Sequence, residues 1–266
     1  MTRSTTVFLV AVSIASSQAL VPADAYAQTF GGQRVSDSSP NAPMGAGARS
    51  VRGLFADTIE DFRHLPSVES ATILSIGAIG ATLARTMDNK TSDGLAASDS
   101  MGTFLHQGEG LGGARAQAAA ALATYAIGRI TNHKKTAAIG ADLVSAQIVT
   151  QTATSVIKMA ANRTRPDGTN YSFPSGHSAT AFATATVIQR HLGWKIGAPA
   201  YGLATYVAAS RIQVKRHYLS DVAFGAALGI VAGRSVTVGR GDARFAVAPS
   251  AAVGGAGVNF TWLGQR

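Results

Sequence analysis

Alanine and glycine fill the apolar stretches of this 266-residue chain, and that restricts its fold more than any other feature. Four uncharged runs, over 70–84, 143–157, 196–210 and 222–233, mix them with Val, Ile and Leu. Side chains this small let backbones approach closely, so the runs predict tightly packed helices. None reaches the roughly 18 residues that a membrane-spanning helix needs. The expectation is an all-α fold, a soluble bundle with helices over 70–87, 115–130, 136–161, 196–211 and 218–234, and one beginning after Ser175. Polar or glycine-rich stretches between them read as connections: a loop over 88–94, a glycine-rich turn over 108–113 and a basic loop over 132–135. The turn lacks the Gly-Lys-Ser/Thr of a phosphate-cradling loop, so it reads as the opening of the next helix. Residues 57–64 suggest a short amphipathic helix. The tail alternates loosely, with Phe245, Val247, Val258, Phe260 and Trp262 around Pro249 and Gly254-Gly255, and predicts a C-terminal β-hairpin.

The first 27 residues carry Arg3, an apolar stretch from Val7 to Ala15 and the small-residue site Ala25-Tyr-Ala27. This is the pattern of a secretory signal peptide cleaved near Ala27, the alternative being an uncleaved anchor in the inner membrane. Residues 28–50, rich in Gly, Ser, Pro and Ala, read as a flexible lead-in, 51–240 as one domain and 241–266 as a tail. The chain has no cysteine, which excludes disulfide and thiol chemistry and, with the export signal, suggests a periplasm. A net charge of +9 favours anionic partners. No nucleic-acid-binding motif is present. Phosphate substrates or an anionic lipid surface remain, and association with a membrane surface is left open.

The chemistry concentrates in Ser210-Arg211-x5-His217-x3-Asp221. Arg211 can hold an anion, His217 can attack it and Asp221 can steer the histidine. Four residues apart on a helix, His217 and Asp221 would share a face. A carboxylate there takes the proton on one imidazole nitrogen and leaves the other bare and nucleophilic. Alone, such a pair is more often a satisfied surface pair. Two upstream clusters add weight: Lys158-x6-Arg165-Pro166 and Pro174-Ser175-Gly176-His177. Lys158 and Arg165 lie two helical turns apart, although Pro166 disfavours helical geometry at Arg165. The Ser175 and Gly176 N–H groups would open a helix toward an anion. Each residue alone has a bland reading, as a cap or a solvated charge. Together, three cations without acidic partners would be costly unless an anion sits among them.

In that order and spacing the three clusters resemble the type 2 phosphatidic acid phosphatase superfamily, which also holds bacterial non-specific acid phosphatases and vanadium haloperoxidases. The resemblance is strong from Lys158 to Asp221 and moderate over the following helix. It implies a helical bundle of that type. It also implies a metal-independent phosphatase acting on phosphate monoesters or lipid (pyro)phosphates, with no cofactor. Lys158, Arg165, Ser175, Gly176 and Arg211 would bind the phosphate. His217, steered by Asp221, would attack phosphorus to give a phosphohistidine, and His177 would protonate the leaving oxygen and later activate water. His106, His133 and His191 match no motif, and Arg163, Lys215 and Arg216 occupy variable motif positions; none is given a role. Only Asp167 to Phe173 separate the first two clusters, which suggests an open pocket. The competing readings are a vanadate-dependent haloperoxidase, which would use the same residues, and a non-catalytic phospholipid-binding protein, which would need only the cations.

Overall fold

A computed structural model describes residues 67–237 apart from positions 98 and 106, four positions between 58 and 65, and the backbone of 243–252 and 255–264. The expected signal peptide and lead-in, most of the helix expected at 57–64, and His106 lie outside these residues. Helices dominate: α1 (Val68–Arg85), α2 (Asp88–Ala96), α3 (Asp99–Leu105), α4 (Gly108–Gly112), α5 (Ala114–Ile130), α6 (Lys134–Ala161), α7 (Gly176–Leu192), α8 (Trp194–Gln213) and α9 (Leu219–Val236). The long ones coincide with the Ala-rich runs. Two strands follow, β1 (Ala243–Ala252) and β2 (Gly255–Gly264), paired antiparallel with Phe245 opposite Trp262 and Val247 opposite Phe260. They occupy the segment where alternation predicted a hairpin.

Helix α9 is the centre of the bundle, packed on α7, α1 and α6. Its Gly225-x3-Gly229-x3-Gly233 stripe lies against α7. A Cβ at Gly225 would sit 2.6 Å from Ser175 O, one at Gly229 would collide with Ala179 O, and one at Gly233 would meet Ala183 O at 2.8 Å. The two helices therefore touch backbone to backbone, as the small residues predicted. The α5–α6 hairpin does the same, with Gly128 against Ala137 and Gly140 against Tyr125. Correspondingly, the core is built of small side chains. One cluster joins Ala121, Leu143, Ala146, Val149, Ala183, Val187, Ala232 and Val236; another joins Ala181, Ala185, Ala204 and Val207.

Two expected connections are helical instead. The segment read as a loop over 88–94 is α2, and Asp88 at its start is buried, accepting from Ser220 N–H at 2.9 Å and Ser220 Oγ at 2.6 Å. Docking onto α9 overrides the weak helix propensity of Asp, Asn, Ser and Gly. The turn read over 108–113 contains α4, because Gly108 presses on Ser210, and Gly112 on Val207 with His177 just beyond. His133, read as part of a basic loop, caps α6, its Nδ1 accepting from Thr136 N–H at 3.4 Å. Among the described helices only α9 is long and apolar enough to cross a membrane, and 67% of it is buried inside the fold. Large apolar side chains are nevertheless exposed on α1, where Ile76, Ile79 and Leu83 recur at helical spacing,.

Candidate active site

The first cluster straddles the end of α6. Lys158 lies in its last turn, and the helix stops where Asn162 adopts a left-handed conformation, φ 39°. Arg165 therefore stands in the following turn, its N–H donating to Thr169 O at 2.7 Å. The two helical turns between Lys158 and Arg165 do not persist; the loop over 162–175 brings them together instead. Lys158 Nζ donates to Tyr171 O at 2.6 Å, and Ser172 N–H reaches back to Arg163 O at 2.8 Å. A cis peptide joins Phe173 to Pro174.

Ser175 caps α7, its Oγ accepting from Ser178 N–H at 3.4 Å. Its own N–H donates to Asp221 O at 3.0 Å, so of the two N–H groups expected to meet an anion only that of Gly176, in the first turn of α7, is not taken up by this bond. His177 follows on the same turn, half-buried beside Gly112 of α4.

The third cluster is built by a tight turn rather than a helix. After α8, Lys215 takes φ 54°, and the N–H groups of Arg216 and His217 both donate to Arg211 O, at 3.1 and 3.2 Å. That closure sets His217 next to Arg211. Asp221 is the third residue of α9, and its Oδ2 accepts Tyr218 N–H at 2.9 Å in a capping box,. The four-residue spacing of His217 and Asp221 thus spans a helix start, not one helical face.

His217 is 3% exposed. Its Nδ1 lies 3.8 Å from Asp221 Oδ2 and has no hydrogen-bond partner: an electrostatic contact longer than a hydrogen bond. Asp221 is fully buried, receiving Ser172 Oγ at 2.5 Å on Oδ2 and Arg163 Nη1 at 2.6 Å on Oδ1. Burial opposes its charge, but His217, Ser172, the Tyr218 N–H and Arg163 outweigh that and hold its carboxyl below the usual range,. For His217 burial is the larger effect; with the charges of Lys158 and Arg165 it overrides Asp221 and favours the neutral imidazole. Burial also drives His177 down to about 4, helped by Arg211, His217 and Lys158. Lys158 falls to about 8, through burial and then the charge of Arg165.

Arg211 is 3% exposed. Its Nη1 forms an ion pair with Glu109 Oε1 of α4 at 3.3 Å, whereas its Nε, like that of Arg165, is buried without a hydrogen-bond partner. Buried donors of this kind are normally paired in a folded protein. Lys158, Arg165, Arg211, His177 and His217 lie within electrostatic reach of one another, each affecting the protonation of at least one of the others. Among the described residues, no group of three or more His, Asp or Glu side chains could hold a metal ion.

Arg163, Asp88 and Glu109 also belong to this neighbourhood and were given no part from the sequence. Arg163 sits at a variable position of its cluster, and the other two lie far upstream with no pattern to mark them. His191, likewise unassigned, pairs through Nε2 with Asp142 Oδ2 at 2.7 Å inside the bundle, where it ties α7 to α6.

Residues 139–244 match the PAP2 superfamily. A lipid A 1-phosphatase of Porphyromonas gingivalis is 49% identical over 82 residues, which is 29% of this chain and 18% of that protein; this chain thus spans less than a fifth of the curated relative. Among solved structures, Aquifex aeolicus LpxE is similar with a TM-score of 0.48 and 21% identity, over 56% of this chain and 94% of its own. The first transmembrane PAP2-type phosphatidylglycerolphosphate phosphatase from Bacillus subtilis follows at 0.47 and 19%, over 70% and 92%. The match over 139–244 contains all three clusters, so the similarity to the PAP2 superfamily rests on the part of the chain that builds this site.

Proposed function

We propose that this chain is a metal-independent phosphatase that hydrolyses phosphate monoesters or lipid (pyro)phosphates, with His217 as nucleophile. One observation carries the reading: His217, buried next to Arg211 and kept toward its neutral form by burial and by the charges of Lys158 and Arg165, shares a neighbourhood with Arg165 and Arg211, whose buried Nε atoms have no hydrogen-bond partner. A phosphate dianion would supply those partners. With its oxygens held by Lys158, Arg165, Arg211 and the Gly176 N–H, its phosphorus faces His217 Nε2. The Nε2 lone pair attacks, the P–O bond to the leaving group breaks, and His177 donates its proton to the departing oxygen. His177 then takes a proton from water, the resulting hydroxide attacks phosphorus, and the P–N bond breaks to release inorganic phosphate and free His217. The bound dianion also recharges His177. Burial apart, its proton is held off by Arg211, His217 and Lys158, and an anion among them offsets those charges. Ser175 Oγ, an acceptor from Ser178, keeps its own proton for the phosphate.

Two features favour a lipid substrate. The 82 residues similar to a curated relative belong to a lipid A 1-phosphatase, and α1 exposes apolar Ile76, Ile79 and Leu83, to which acyl chains or a membrane surface could adhere. The N-terminal signal adds an exported, periplasmic location, tested by the intact mass of the exported protein. For the activity itself, purified protein is assayed for phosphate release from a panel of lipid and soluble phosphate esters with EDTA present. His217→Ala should lose at least ~10³-fold in rate. Wild-type rates in that variant would refute the nucleophile, and bromide oxidation with vanadate and peroxide would favour the haloperoxidase chemistry instead.

A further inference from the structure

We infer that Arg163 is a positioning residue, the centre of a charge clamp that ties Asp221 to Asp88 and so sets the electrostatic field under His217. The inference rests on the proposed role of His217 as nucleophile. The guanidinium fork divides between two carboxylates: Nη1 donates to Asp221 Oδ1 at 2.6 Å and to Ser220 Oγ at 2.7 Å, and Nη2 donates to Asp88 Oδ2 at 2.7 Å. Its face lies 4.3 Å above the centroid of the Tyr218 ring. Asp88 closes the circuit by accepting from Ser220 N–H and Ser220 Oγ. Both carboxylates are buried, so neither is well screened by solvent. Asp88 comes from α2, outside the stretch that matches the PAP2 superfamily, so an upstream helix is joined to the site through one side chain.

The clamp matters because the carboxylate beneath His217 is already fully occupied. Asp221 Oδ2 takes Ser172 and Tyr218, Oδ1 takes Arg163, and His217 Nδ1 stands 3.8 Å off. What His217 receives from this side is therefore mainly a field, the sum of two negative charges and one positive. The other charged groups around it are Lys158 from α6, Arg165 from the loop over 162–175, His177 from α7 and Arg211 of α8 with its partner Glu109 of α4, and none of them is altered by changes in the clamp. Removing Arg163 leaves two unneutralised carboxylates and favours the imidazolium. Removing the charge of Asp88 leaves Arg163 opposite Asp221 alone and favours the neutral ring.

The test is the acid limb of kcat/KM against pH for phosphate release. Arg163→Gln should move that limb up and Asp88→Asn should move it down, each by about half to one unit, below the 1–3 units of a charge in direct contact. Arg163→Lys keeps the charge but loses the fork, so its limb should stay near that of the wild type while kcat falls several-fold. A merely structural role would lower the rate in all three variants without moving the limb in opposite directions. The same shifts are read by NMR titration of the His217 imidazole, assigned by its loss in His217→Ala. If the wild type releases phosphate but the two limbs stay fixed or move together, the clamp is refuted and the phosphatase reading stands. If no ester is hydrolysed, that reading fails, and the NMR titrations still decide the clamp. Should Arg163→Gln fail to fold, Asp88→Asn against wild type supplies the sign.

Discussion

Lys158 offers the sharpest quantitative consequence of this site. Its ammonium is half-buried at the end of α6, and burial together with the charge of Arg165 lowers its pKa to about 8. The sign follows directly. Below pH 8 the empty site contains a charged Lys158 that attracts an anion; as pH rises through 8 that charge is lost. If only the protonated form binds, the competent fraction falls from roughly nine-tenths at pH 7 to one-tenth at pH 9, a tenfold weakening. That corresponds to about 1.4 kcal/mol of binding free energy. Tungstate is a suitable probe because it remains a dianion across that range, and calorimetric titration gives its Kd directly. Lys158→Arg, whose guanidinium stays charged throughout, should bind with a nearly flat profile. An affinity independent of pH in the wild type, or an equal slope in Lys158→Arg, would refute the placement of Lys158 against the anion.

Further outcomes follow from the same geometry. Gly229→Ala should destabilise the fold by about 1–2 kcal/mol: the new Cβ meets unyielding α7 backbone, an overpacking cost that exceeds the ~1 kcal/mol helix gain. Gly80→Ala on α1, where nothing lies within 4 Å, should instead stabilise by up to about 1 kcal/mol. Urea unfolding compares the two, and shifts of the same sign would contradict the close α7–α9 packing. Glu109→Gln removes the carboxylate that competes for Arg211. Because Glu109 is largely exposed, the gain in tungstate affinity should be modest, about two- to fivefold; unchanged or weaker binding would show that the pair does not occlude the anion site. Replacing Arg211 by Gln should cost roughly 2.7–4 kcal/mol in kcat/KM for phosphate release. A loss confined to KM would assign it to ground-state binding alone.

The one-dimensional pattern determined a good deal. Small apolar residues at helical spacing specify close-packed helices without a partner, because helix hydrogen bonds are local; α5, α6 and α9 lie within a few residues of where those runs predicted them. The three clusters were legible because their chemistry sits in short contiguous segments. How they are held was not. Asp88 to Gly94 has the composition of a loop, yet it is helical because Asp88 anchors in α9 across 132 residues of sequence. His217 and Asp221 looked like one helical face, yet a turn closed on the Arg211 carbonyl presents the histidine, and the aspartate caps the next helix. Arg163 seemed a variable charge, and only packing gave it two buried carboxylates, one of them 75 residues upstream. Spacing encodes what neighbours along the chain can do together. Which distant charges share a low-dielectric pocket, and so which protons each group keeps, depends on how helices pack, and that was decided only in three dimensions.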